Sequence, residues 1–172
     1  PAIVMTGAAL WDRFECRFDS ITLIPEDDAR RILDTFQGES LRPFIYCLSG
    51  NSFLNVYHSA AMSRREDAFY QERRHLELKR FHLDQQPSSL GSVALFFAIG
   101  PVKAVKQASE KLSEVTDCAT TWYPDVIMPD TGLIDIYAPG VSKALAVEQL
   151  AGRVGAERTV VFGDNLNDLP MM

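Results

Sequence analysis

The residues best suited to chemistry stand together near the end of the chain, where Thr159-Val160-Val161-Phe162 leads into Gly163-Asp164-Asn165-Leu166-Asn167-Asp168. Four β-favouring residues deliver two carboxylates and two amides to what would be the carboxyl edge of a sheet, the place where open α/β sheets bind their ligands. Hard carboxylate oxygens there suit Mg²⁺, which takes few protein ligands and completes its shell with water and substrate phosphate. A calcium hand is excluded by spacing, because Leu166 and Leu169 occupy the third and sixth positions, where that loop needs an oxygen ligand and a glycine. The competing reading is an Asx-rich turn that caps a helix starting near Leu169.

Lys143 supplies the second chemical signal. It stands 21 residues before Asp164, just inside the start of the helix predicted over "VSKALAVEQLAGRVG". A cation in the first turn opposes the helix dipole, so helix stability gives it no reason to be there. Its ammonium could instead serve an anion at the sheet edge it shares with Asp164; otherwise it is an exposed lysine beside a loose cap.

The elements that must position these groups read as mixed α and β. "PAIVMTGAAL" is a short strand emptying into a Thr-Gly turn, and "FECRFDSITL" alternates Phe14, Cys16 and Phe18 against charged neighbours, predicting a half-buried strand. A helix follows Pro25 and three acids and stops at Gly38. "PFIYCLSGNSFLNVYH" predicts a hairpin, "RRHLELKRF" a solvated helix face, "SVALFFAIG" a strand apolar on both sides, and "PVKAVKQASEKLSEV" another helix.

The chain has 172 residues, 47% of them apolar, enough for a sizeable core in one or two domains. A net charge of −6 argues against a general hold on nucleic acid, which needs a basic face. No run reaches about 18 apolar residues, so no membrane span is expected. Cys16, Cys47 and Cys118 are isolated and read as buried free thiols in a reducing compartment, which places the protein in the cytoplasm. The three histidines are too scattered for a metal site.

Together, "GVSKALAVEQL" and "VVFGDNLNDLPMM" resemble the third and fourth motifs of the haloacid dehalogenase-like hydrolases, specifically the Cof-type phosphatases. Lys143, Gly163, Asp164, Asn167 and Asp168 match residue by residue. "IVMTGAAL" is similar to the strand and loop that lead into the family's cap, with Thr6 where asparagine is usual. The resemblance implies a partial Rossmann-like core plus a large inserted α+β cap with an antiparallel sheet: residues 1–7 as core strand and linker, 8–140 as cap, 141–172 as part of the catalytic core. It further implies a Mg²⁺-dependent phosphatase acting on a small phosphorylated metabolite such as a sugar phosphate, through an aspartyl-phosphate. Lys143 would hold the phosphoryl group, Asn167 and Thr6 would lie on the phosphate side, and Asp164 and Asp168 would ligate the metal.

The family's first motif, D-x-D-G-T, does not occur: no two aspartates are separated by a single residue, and "PDTG" at 129–132 reads as a turn. The second motif's Ser or Thr, and a strand and helix after Met172, are missing as well. The expectation is a fragment, unable by itself to form a phosphoenzyme, whose slice of core would be poorly ordered unless a missing core segment or another copy of the chain covered it. Substrate selection would fall to the cap, with Ser49–Ser52, Trp122, Tyr123 and Asp125 as candidates by position; Trp122 and Tyr123 also read as core strand residues. Two other functions fit the sequence: a non-catalytic cap module that binds a ligand or partner, and a structural α+β domain ending in an Asx cap.

Overall fold

The computed structural model describes residues 1–163, 168, 171 and 172. Among these residues are a three-stranded and a six-stranded sheet with four α-helices. Strands β1 (Ala2–Val4), β2 (Ala9–Asp12) and β3 (Arg17–Ile21) form the small antiparallel sheet. The large sheet comprises β4 (Phe44–Ser49), β5 (Phe53–His58), β6 (Lys79–Leu83), β7 (Val93–Pro101), β8 (Ala119–Pro124) and β9 (Thr131–Tyr137), in the order β6-β5-β4-β7-β9-β8. Every neighbouring pair is antiparallel except β5 and β6, which run parallel because α2 (Arg64–Arg73) carries the chain between them.

Helices α1 (Glu26–Gly38) and α3 (Val102–Val115) cover one face of the large sheet. Ala29, Ile32 and Phe36 of α1 and Val105, Ala108 and Leu112 of α3 recur at helical spacing and pack on Val93, Phe96, Ile134 and Ile136. The opposite face carries Phe44, Tyr46, Leu95, Phe97, Leu133 and Tyr137 and receives Phe69 of α2, Ala9 and Phe18 from the small sheet, and Ala8 just before β2. Both faces of β7 are therefore buried, as its unbroken apolar run predicts. No helix among the described residues is long and apolar enough to cross a membrane.

Three local expectations need correction. The strand foreseen from Phe14 begins only at Arg17, and Phe14 is 94% exposed. The Asp12 carboxylate accepts the backbone N–H groups of Phe14 (2.8 Å) and Glu15 (3.0 Å), an Asx turn that ends β2 and outcompetes the apolar alternation. Cys16 is in consequence an exposed thiol, whereas Cys47 and Cys118 are buried as expected. "RRHLELKRF" is helical only at its start; the rest is turn and then β6, because Lys79–Leu83 finds a ladder partner in β5.

Phe36 lies at 0% exposure against Phe96, so Phe36→Ala should cost about 3–5 kcal/mol. Phe14→Ser should stay within about 0.5 kcal/mol of the unaltered chain. Urea denaturation checks both, and a comparable loss at Phe14 would contradict the exposed turn.

Candidate functional site

β1 ends in a tight 3₁₀ turn over Met5–Gly7 in which Met5, Thr6 and Gly7 all have positive φ, 53°, 56° and 97°. Left-handed backbone at two non-glycine residues costs energy and persists only when the surroundings impose it. The imposing contact is visible at Gly7, where a Cβ would fall 2.3 Å from the Ser142 carbonyl oxygen and 3.0 Å from Ala146 Cβ. Only glycine allows the turn to press on the start of α4 (Lys143–Val154). Ser142 caps that helix, its Oγ accepting the Leu145 N–H at 3.1 Å, so Lys143 is the first helical residue and its cap is closed rather than loose.

Lys143 Nζ donates to Asp168 Oδ1 at 2.5 Å, with the lysine side chain 29% and the aspartate side chain 7% exposed. Charge-assisted bonds of this length are strong, and a largely buried carboxylate needs one. Gly163 presses on the same aspartate: a Cβ there would lie 2.3 Å from Asp168 Cβ. The structure thus brings together Lys143, Gly163 and Asp168 from the two predicted motifs. Thr6 joins them indirectly, through the Gly7–Ser142 contact, while its own hydroxyl donates to Tyr137 Oη at 3.2 Å. Asp164 and Asn167 lie outside the described residues.

The strand predicted over Thr159–Phe162 does not form. No strand among the described residues pairs with this segment, and Val160 and Phe162 are 77% and 88% exposed. An apolar β-run becomes a strand only when a neighbour completes its ladder, and its sequence cannot supply that neighbour.

The cap candidates divide. Asp125 is 4% exposed and holds Arg65 in an ion pair while accepting the Ile127 N–H at 2.8 Å, so it serves the chain's own groups. Trp122 packs toward the α1–α3 side of the sheet. Tyr123 faces the other side, where it helps line a trough of about 340 Å³ running across the sheet beneath α2, with Met5 at its wall. The Ser49–Ser52 tip does not reach that trough.

Besides Tyr123, the trough holds residues that the sequence had not pointed to. Asp135 accepts the Tyr123 hydroxyl at 3.1 Å and has no ion pair among the described residues. Burial pushes its carboxyl up to about 6, with the Tyr123 bond pulling the other way. Burial also raises the hydroxyls of Tyr46, Tyr123 and Tyr137. Lys79 lies 5.2 Å from the Tyr46 ring centroid, and burial, then the nearby Arg73, hold its ammonium below the usual lysine range. An acid set between two isoleucines in "GLIDIYA" was the available signal.

A family model described as haloacid dehalogenase-like hydrolase matches residues 1–172. The chain belongs to that family. Its fold agrees with a haloacid dehalogenase-like hydrolase from Bacteroides thetaiotaomicron, at 14% identity and a TM-score of 0.68 over 96% of this chain and 59% of that one. A Thermotoga maritima protein matches at 18% identity and a TM-score of 0.59, over 90% of this chain and 54% of that one. A Streptococcus mutans protein matches at 14% and 0.61, over 90% and 55%. Comparison with curated proteins found no significant match. This haloacid dehalogenase-like chain therefore spans little more than half the length of the solved structures it resembles, and its mixed α/β fold agrees with theirs.

The raised carboxyl of Asp135 has a consequence for stability. The folded chain binds its proton more tightly than the unfolded chain does. That stabilisation is complete below about pH 4 and is lost as the pH rises through about 6, beyond which the fold carries a buried charge. Asp135→Asn should therefore stabilise the chain by roughly 1–3 kcal/mol near neutral pH, and the gain should vanish near pH 4. Thermal unfolding across that range checks it; a gain independent of pH would contradict the buried-charge reading.

Proposed function

We propose that this chain is the cap and part of the core of a Mg²⁺-dependent phosphatase acting on a small phosphorylated metabolite. The observation that carries the reading is the Lys143–Asp168 contact, a cation and a carboxylate placed together at the capped start of α4. A helix N-terminus with a lysine on it favours a dianionic phosphoryl group, by dipole and by charge. Lys143 would hold that group, with Asn167 and the Thr6 turn on the phosphate side. Residues 8–140 would be the cap and 141–172 core.

Asp168 offers a hard oxygen donor that is mostly buried, which fits a cation that takes one or two carboxylates and keeps its waters. Asp168 and Asp164 would hold Mg²⁺, which when bound supplies charge neutralisation at the phosphoryl oxygens. The residues of this chain do the rest: Lys143 orients the phosphate, Ser142 fixes Lys143, and Gly7 lets the Thr6 turn close against them. On this reading the nucleophilic aspartate would lie outside these 172 residues, in which no D-x-D pair occurs. The trough, built almost entirely from cap residues, favours a second reading, a ligand-binding cap module without catalysis.

The test is phosphate release from a panel of phosphate monoesters, comparing the chain alone with a polypeptide extended upstream to include a D-x-D-G-T strand. The extended form should hydrolyse with Mg²⁺ and stop with EDTA, and Lys143→Ala should lower kcat/KM by on the order of 10² or more. The chain alone should show no burst of phosphate. Ligand binding with no hydrolysis in the extended form would favour the binding module, and a burst from the chain alone would refute the assigned division of labour.

A further inference from the structure

Asp135 stands on β9 between Ile134 and Ile136, both fully buried on the other face of the sheet, and opposite Phe97 and Thr121 on the adjoining strands. A carboxylate in such surroundings is costly and is retained where something compensates it. A carboxylate has on the order of four acceptor positions. The Tyr123 hydroxyl fills one, and no cation among the described residues pairs with Asp135.

Its neighbours define what would fill the others. Tyr137 Oη already accepts the Thr6 hydroxyl, which leaves the Tyr137 proton free to be donated. Tyr123 spends its proton on Asp135 and keeps lone pairs to accept with. Two acceptors, Tyr123 and Asp135, and one donor, Tyr137, therefore lie side by side along a short stretch of the trough floor, a set matched by neutral hydroxyl groups, each of which both donates and accepts. An ammonium group fits less well, because Arg65, Arg73 and Lys79 line the same trough and would repel it. The hydrogen bond from Thr6 to Tyr137 also joins this floor to the turn that packs on the helix of Lys143.

We propose that Asp135, with Tyr123 and Tyr137, binds neutral hydroxyl groups on the organic part of a phosphate monoester and so determines which phosphorylated substrate is accepted. This rests on the phosphatase reading for the phosphate end alone. A site whose buried polar groups are built to be paired discriminates strongly against a ligand that leaves them unpaired, which makes the three residues specificity determinants rather than catalytic groups.

The experiment is an NMR titration of the isotope-labelled 172-residue chain with glucose 6-phosphate, propyl phosphate and phosphoethanolamine at neutral pH. Glucose 6-phosphate should bind about tenfold or more tighter than propyl phosphate and shift the Asp135 and Tyr137 amides. Asp135→Val should erase that preference and leave propyl phosphate binding unchanged, Asp135→Asn should restore part of it, and Tyr123→Phe should weaken it. Equal affinity for the two esters, an unaltered preference in Asp135→Val, no shift at Asp135, or a preference for phosphoethanolamine would each overturn the proposal. Absence of hydrolysis in the extended polypeptide with the preference intact would sink the phosphatase reading and leave the hydroxyl site standing.

Discussion

The contact between Gly7 and the Ser142 carbonyl is the constraint from which the site follows. Two segments 135 residues apart in the chain approach so closely that no side chain fits between them. That approach forces left-handed backbone on Met5 and Thr6, turns the Thr6 hydroxyl to Tyr137, and seats the strand-to-turn junction on the first turn of α4. A larger residue at position 7 would clash with backbone, which cannot rotate away as a side chain can.

From this junction two polar systems extend in different directions. One is the Lys143–Asp168 pair, in which a lysine unsuited to its helical position finds its compensation in a buried carboxylate. The other is the trough on the large sheet, reached through Tyr137, where Asp135 remains without a cationic partner among the described residues. Each system sacrifices local stability: the first places a cation at a positive helix end, the second holds a half-buried titratable acid among apolar strands. Concentrated at one junction, such sacrifices are the physical mark of a functional region.

Local signals were legible in the sequence where they decide the structure locally. Pro25, the acids after it and Gly38 bracket α1, and the β4–β5 hairpin follows its Ser-Gly-Asn-Ser tip. The family resemblance placed Lys143 and Asp168 at one site but in different roles, and their direct pairing was not anticipated, since nothing in their spacing dictates a contact. Three failures share a cause in competition or distance. Asp12 captured the backbone of Phe14 and Glu15 by a turn that periodicity does not register. Thr159–Phe162 has strand composition but no ladder partner among the described residues. Asp135 was not singled out, because its significance depends on Tyr123, on Tyr137 and on the trough they line, which only the folded sheet brings together.

The central claim, that Lys143 and Asp168 form part of a metal-assisted phosphate site, is tested most directly by titrating inorganic phosphate into the chain with and without Mg²⁺. The Lys143 side chain and the amides of Lys143 and Leu145 would be followed by NMR. Phosphate should perturb these resonances, Mg²⁺ should strengthen its binding, and Asp168→Asn should abolish the Mg²⁺ enhancement. Phosphate binding indifferent to both Mg²⁺ and Asp168, or no perturbation at Lys143, would contradict the account.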